Sequence, residues 1–298
     1  MEDGAAKKRT QLKKRAIVFL LLAAIVVWMA VADLAHRKML EVTFLDVGQG
    51  DAAFIEIPGG RQILIDGGPD SSVLSGLGRV MPFWDRDIDL IVLSHPDHDH
   101  LAGLLEVLKN YNVKGVLWAG VKKETAEFEE WQSLIVKERA SVEITQPGER
   151  ISLDSNQDHY LEVLYSEPDL IGEVAKDTNN SSAVIRLVYG RRSFLFTGDI
   201  YGFTEEEIAS EGSDLRSDVL KVSHHGSKNS ASEKFMARVL PEAAVISAGA
   251  GNSYGHPSAE ILDLLGKYDI KMMRTDLNGD ITFETDGSRL FLKAEKRR

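Results

Sequence analysis

Ser94-His95-Pro96-Asp97-His98-Asp99-His100 decides how this chain is read. Three histidines and two aspartates fall between His95 and His100. A helix cap in Asp97 or Asp99 would need one acidic residue and no histidine. Imidazoles and carboxylates alternating at two-residue steps converge on one point from several directions, which suits a divalent cation with N and O ligands. The chain has no cysteine. Thiolate sites, disulfides and cysteine nucleophiles are therefore excluded, and any metal must rest on His, Asp, Glu or Asn.

Working outward, residues 88–93 (IDLIVL) are apolar except for Asp89 and predict a buried strand. Leu101, Leu104, Leu105 and Leu108 then keep helical spacing. The cluster thus falls between a strand's C-terminal end and the first turn of a helix, a common place for sites in α/β proteins. Upstream, residues 41–47 (EVTFLDV), 52–57 (AAFIEI) and 61–66 (RQILID) predict a meander joined by Gly48-Gln49-Gly50-Asp51 and Pro58-Gly59-Gly60. Downstream, residues 182–188 and 193–197 predict a hairpin across Tyr189-Gly190-Arg191-Arg192 that ends at Gly198-Asp199. Residues 219–222 lead into His224-His225, and residues 243–247 lead towards His256. A helix is predicted over 261–268, with closing strands over 280–284 and 290–292 around Asp286-Gly287. Each candidate ligand follows an apolar strand. Two strand-rich halves with helices between them predict an α+β chain of two facing sheets, helices outside, and a site at the edge where strand ends meet.

The loop His95-Pro96-Asp97-His98-Asp99-His100 does not stand alone. Ile65-Asp66-Gly67-Gly68 precedes it, Gly103 follows it, and Phe196-Thr197-Gly198-Asp199 and Ser223-His224-His225-Gly226-Ser227 come later. In this order the motifs resemble the metallo-β-lactamase superfamily, whose signature is His-x-His-x-Asp-His. Asp97 stands where that signature has its second His. Phe44-Leu45-Asp46-Val47-Gly48-Gln49-Gly50-Asp51, the His-Pro-Asp-x-Asp-His form of the loop, and Tyr254-Gly255-His256-Pro257 look closest to the soluble C-terminal domain of the ComEC family of DNA-uptake channel proteins. The resemblance implies a metallo-β-lactamase-like αββα sandwich and two divalent metal ions, Zn or Mn, with Mg a further option. His95 and Asp97 would hold the first ion and Asp99 and His100 the second, with Asp199 bridging. His225 would complete the second site, because the family's last ligand is usually followed by Gly, and His224 would then face substrate. Asp66 would orient a ligand His or the loop, and Asn179, Asn180, Asp46 and Asp51 would support the ligands from behind. Asp99, His224 and His256 are the residues tied to catalysis, His256 as proton donor or oxyanion partner. His98 is expected to be a bystander. The family's further His before Asp199 has no counterpart. The only His in that interval is His159, in a polar stretch. Asn179 or Asn180 would donate an oxygen there, or the first position is weak or empty, or both Asn serve a turn.

The N-terminus differs from the rest. Lys7, Lys8, Arg9, Lys13, Lys14 and Arg15 precede an uncharged run over residues 16–32. As a helix it would span about 25 Å, near the lower limit for crossing a bilayer. The basic flank predicts a cytoplasmic N-terminal side and an exported remainder, and Ala30-Val31-Ala32 also suits signal cleavage. The expected division is 1–38 as basic segment with signal anchor or signal peptide, and 39–298 as the hydrolase domain. The location is then a single-pass membrane protein, or a secreted one if the signal is cleaved. Residues 1–40 hold eight of the 35 Lys+Arg and three of the 46 Asp+Glu, so the remainder carries 27 against 43, about −16. An acidic domain does not attract polyanions over its whole surface, so any nucleic-acid contact must be local. The resemblance implies a metal-dependent hydrolase, a phosphodiesterase or nuclease acting on a phosphodiester, with single-stranded DNA outside the membrane first and a membrane channel protein as partner. A teichoic-acid phosphocholine ester and a non-catalytic membrane-tethered binding domain are the alternatives.

Overall fold

The computed structural model describes residues 11–25, 27–28 and 39–294. The chain divides into a unit over Met1–Met39 and a unit over Leu40–Arg298. In the first, residues 11–25 and 27–28 are helical (α1), with exposed apolar side chains such as Leu12, Phe19 and Trp28. The rest of the apolar run lies outside the described residues. Among the described residues no helix is long and apolar enough to cross a membrane, so the predicted span finds no support here.

The second unit begins β1 (Leu40–Phe44), β2 (Ala53–Ile57), β3 (Arg61–Ile65), α2 (Ser72–Val80), β4 (Asp87–Ile88), β5 (Leu90–Leu93), α3 (His98–Asn110), β6 (Asn112–Val113), β7 (Gly115–Trp118), α4 (Ala126–Glu138) and β8 (Ser141–Ile144). It continues through β9 (Arg150–Ser152), β10 (His159–Tyr165), β11 (Val184–Tyr189), β12 (Arg192–Phe196), α5 (Gly202–Ser210), β13 (Val219–Lys221), α6 (Glu233–Val239), β14 (Ala243–Ile246), α7 (Ala259–Lys267), β15 (Lys271–Arg274), α8 (Thr275–Asn278), β16 (Ile281–Thr285) and β17 (Leu290–Ala294). One sheet has the order β17-β16-β1-β2-β3-β5-β7-β8, the other β15-β14-β13-β12-β11-β10-β9.

Alternation along the strands makes the layers. Val42, Phe44, Ile55, Ile63 and Val92 of the first sheet meet Ile185, Leu187, Phe194, Phe196 and Val245 of the second in one buried cluster. The intervening residues face outward: Phe54, Leu64 and Ile91 pack with Val73, Leu104 and Trp131 of the helices. On the other side Val184, Leu195 and Leu220 pack with Ile208, Phe235 and Leu265. A strand with apolar residues on both faces can be buried on both, so the order of layers is helix, sheet, sheet, helix.

The predicted strand over 88–93 is instead two short strands. Asp89 interrupts it, because its carboxylate accepts from Gln62 N (2.9 Å) and Lys114 Nζ (2.8 Å). β3 pairs in parallel with β5, and β12 with β13 and β13 with β14. Parallel strands put successive C-terminal ends at one edge, and Asp66, His95, Asp199 and His225 all follow such ends.

Candidate metal centre

Helix α3 sits against the turn after β3 with no room for a side chain between them. A Cβ on Gly103 would lie 1.8 Å from Gly67 O. Gly67 N donates to His100 O (2.8 Å) and Gly103 N to Gly68 O (2.9 Å). The contact brings Asp66, at φ 57°, beneath the His/Asp loop. Its Oδ1 accepts from Ser94 N (2.8 Å), and its Oδ2 accepts from Ser94 Oγ (2.7 Å) and His100 Nδ1 (2.8 Å). With Nδ1 held, His100 presents Nε2 to the site, a common way of aiming a ligand imidazole.

His100 Nε2 lies 3.4 Å from Asp199 Oδ1. His225 Nε2 lies 3.1 Å from Asp99 Oδ2 and 3.3 Å from Asp199 Oδ2. One ligand atom from each of Asp99, His100, Asp199 and His225 lies within 4.8 Å of the others. His100 Nε2 and Asp199 Oδ1 are buried and make no hydrogen bond. Buried polar atoms are normally satisfied. Two imidazoles and two carboxylates converge, His225 Nε2 bonded to Asp99 Oδ2 and the other two atoms unpartnered, and such a donor set fits a divalent cation.

The second His pair owes its aim to an unusual backbone. His224 (φ 49°, ψ 46°) and His225 (φ 54°, ψ 22°) are both left-handed, a conformation costly for residues with a Cβ. His225 Nδ1 lies 3.0 Å from Ser247 O and 3.2 Å from Asp51 Oδ1. Asp51 in turn pairs with the buried ammonium of Lys221. Glu205 completes the support: it accepts from Ser223 Oγ (2.7 Å) and Ser232 N (2.5 Å) at either end of the His loop. The run Glu205-Glu206-Glu207 reads in the sequence as a solvated face, yet Glu205 is only 1% exposed.

The electrostatics follow from this packing. Burial alone would lower the His100 and His225 imidazoles. Asp199, together with Asp66 for His100 and Asp51 for His225, outweighs burial and holds both well above the usual histidine value. Burial would raise Asp199, but His225 and His100 hold it well below the usual carboxylate range. Protons here occupy the charge-balancing place a cation would take. Burial, aided by His100, lowers His95. Burial also lowers His224, and burial with His225 and His224 lowers His256.

The other predicted residues are placed as follows. His224 Nε2 is 4.0 Å from Asp199 Oδ2, and its ring centroid is 5.7 Å from that of His256. His95 is fully buried, with Nδ1 3.1 Å from Ser94 Oγ and Nε2 without a hydrogen-bond partner. Asp97 Oδ1 lies 4.0 Å from that Nε2 but accepts from Lys123 Nζ (2.7 Å) and from Thr178 Oγ1. Asn180 Oδ1 accepts from Tyr201 N (2.8 Å) and Thr204 Oγ1 (2.9 Å), so it secures the start of α5. Asn179 Nδ2 donates to Tyr201 Oη (3.0 Å). Asp46 accepts from Gly48 N in its own turn (3.4 Å) and belongs to neither cluster of ligand atoms among the described residues. His98 pairs with Glu127 on the surface (2.8 Å). His159 pairs with Asp154 (2.7 Å) and stacks on Tyr189, at the end of β11 away from the site. Sequence reasoning missed Ser94, Lys123, Glu205 and Lys221. Only Ser94, adjoining the loop, carried a signal in the sequence.

Known proteins of this shape agree with the geometry. The chain is 33% identical over 261 residues to ComE operon protein 3 of Bacillus subtilis, covering 82% of this chain and 33% of that protein. It is 32% identical over 252 residues to Competence protein ComA of Neisseria gonorrhoeae, covering 81% and 32%. With Recombination protein 2 of Haemophilus influenzae the figures are 30%, 81% and 28%. The chain thus spans about a third of the length of these relatives. Among solved structures, the metallo-β-lactamase fold protein YhfI of Bacillus subtilis superposes with a TM-score of 0.56 at 14% identity, over 83% of this chain and 99% of that one. Igni18, a metallo hydrolase of Ignicoccus hospitalis, gives 0.53 at 16% over the same shares. At such identities these two show the fold. Residues 45–250 match the metallo-beta-lactamase superfamily, and with its αββα layers and convergent His/Asp ligands the chain belongs to that superfamily of metal-dependent hydrolases.

Proposed function

We propose that the chain is a metal-dependent phosphodiesterase that cleaves DNA strands, single-stranded DNA foremost, on the outer side of a membrane. The observation that carries this reading is the convergence of Asp99, His100, Asp199 and His225, with buried ligand atoms left without hydrogen bonds. Zn or Mn suits the mixed N and O donors, with Mg a weaker third. A bound divalent cation supplies Lewis acidity there, acidifying water and offsetting charge on a phosphoryl group. The chain's own residues hold and aim the substrate. Burial keeps His224 and His256 neutral near pH 7. A neutral imidazole donates an N–H to a phosphoryl oxygen more readily than it gives up a proton, so His256 is read as an oxyanion partner.

Two of the relatives' names, one for competence and one for recombination, put DNA ahead of an envelope ester. The basic residues Lys7 to Arg15, ahead of or at the start of the uncharged run over residues 16–32, favour attachment to a membrane surface on the sequence pattern alone. The test is hydrolysis of bis(p-nitrophenyl) phosphate and single-stranded DNA by the full chain with added Mn²⁺ or Zn²⁺. Activity lost in Asp199→Asn supports the reading. Activity on a phosphocholine ester with none on DNA moves the substrate to the cell envelope, and silence with every metal leaves a binding domain.

A further inference from the structure

The geometry points to a centre that holds one divalent ion, with the Lys123 ammonium standing in for a second. This rests on the reading that Asp99, His100, Asp199 and His225 hold a cation. The family pattern puts a first ion between the residues at His95 and Asp97 and a further histidine. Here Asp97 Oδ1 already accepts from Lys123 Nζ at 2.7 Å and from the Thr178 hydroxyl. The lysine is not a wandering surface group. Its neighbour Lys122 is pinned on both sides, its N–H donating to Glu173 O (2.8 Å) and its carbonyl accepting from Ala175 N (3.0 Å). The Lys123 and Asp97 side chains are 24% and 25% exposed, so the pair lies at the mouth of the site.

The third ligand is missing as well. Where the further histidine belongs, Thr178 binds Asp97, Asn180 spends its oxygen on the start of α5, and Asn179 donates to Tyr201. His95 Nε2 stands 4.0 Å from Asp97 Oδ1, beyond hydrogen-bond distance, and makes no hydrogen bond. Among the described residues neither cluster of ligand atoms includes His95 or Asp97. A dication placed between them would face an ammonium already neutralising one of its two ligands, and like charges at that range repel strongly. Asp97, out of place as a histidine substitute, is in place as the counter-ion of a lysine.

The test counts metal. The full chain is stripped with chelator, and Mn²⁺ or Zn²⁺ is titrated calorimetrically, with metal analysis after dialysis. One equivalent per chain is expected in the wild type. Asp97→Asn and Lys123→Ala are each expected to keep that equivalent, and Asp199→Asn to lose it. The Mn²⁺-loaded wild type is expected to show the electron paramagnetic resonance of isolated ions. Two equivalents, an exchange-coupled spectrum, or loss of the bound ion in Asp97→Asn overturns the inference while leaving the metal-centre reading intact. No bound metal in the wild type overturns that reading itself, and the inference with it.

Discussion

Asp66 Oδ2 accepts from His100 Nδ1 at 2.8 Å, with both side chains buried, and so decides which imidazole nitrogen faces the metal site. Replacing the carboxylate by an amide would keep the volume and remove the charge. Asp66→Asn should weaken metal binding about 10–100-fold, the usual effect of removing such a partner. Competition against a coloured chelator measures it, and unchanged affinity would show that Ser94 and packing suffice to aim the ring.

His224 and His225 should separate cleanly. His225 Nε2 stands 3.1 Å from Asp99 Oδ2 and 3.3 Å from Asp199 Oδ2, and His224 Nε2 is 4.0 Å from Asp199 Oδ2. His225→Ala should lose the ion. His224→Ala should keep it and lower kcat about 10²-fold, as for loss of one oxyanion donor. Metal analysis beside kinetics distinguishes them, and the reverse pattern would exchange their roles.

Metal affinity should rise with pH. In the metal-free protein Asp199, with Asp66 or Asp51, holds His100 and His225 above the usual histidine pKa, so both carry protons near neutrality. A cation must displace those protons, so binding strengthens as pH climbs towards the raised values. Calorimetry in buffers of different ionisation enthalpy should report net proton release. Affinity that does not change between pH 6 and 8 would contradict the assignment of these two ligands.

Lys221 is a stability residue of the site. Its buried ammonium pairs with Asp51, which also faces His225. Lys221→Met should leave Asp51 a buried carboxylate short of its strongest partner and cost about 3–5 kcal/mol. Urea unfolding of the metal-free protein reads this directly. A smaller loss would mean that His225 alone neutralises Asp51.

Gly103→Ala tests the close approach of α3. Its Cβ would meet Gly67 O at 1.8 Å, so the helix and the His/Asp loop must shift. The expected loss is about 1–3 kcal/mol, with reduced metal content. Wild-type stability would show that the turn after β3 yields easily.

Much of the scaffold was legible in the chain. β2, β3, β5 and β12 follow apolar runs, and α3 follows the leucine spacing, because both periodicities come from burial on one or two faces. The segment from β7 to β10, with α4, was not read as elements. β8 and β9 are short and largely exposed, so no period stands out there, whereas β10 runs for seven residues. Asp89 divided a strand that hydropathy alone runs together, because its carboxylate bonds across to Gln62 and Lys114.

The residue types and spacing of Ser94 to His100, with Asp66, Gly103, Asp199, His225 and the motifs over 44–51 and 254–257, pointed by themselves to a candidate His/Asp metal centre at strand ends and to the family of the chain. Ligand identity is local, and a loop of alternating imidazoles and carboxylates has few other uses. Which charges balance that centre was decided only by the tertiary structure. Lys123 reaches Asp97 from 26 residues away, Lys221 reaches Asp51 from a different sheet, and Glu205 turns inward from an acidic run. A charge's partner depends on what packing brings within a few ångströms, and the linear order of residues does not carry that distance.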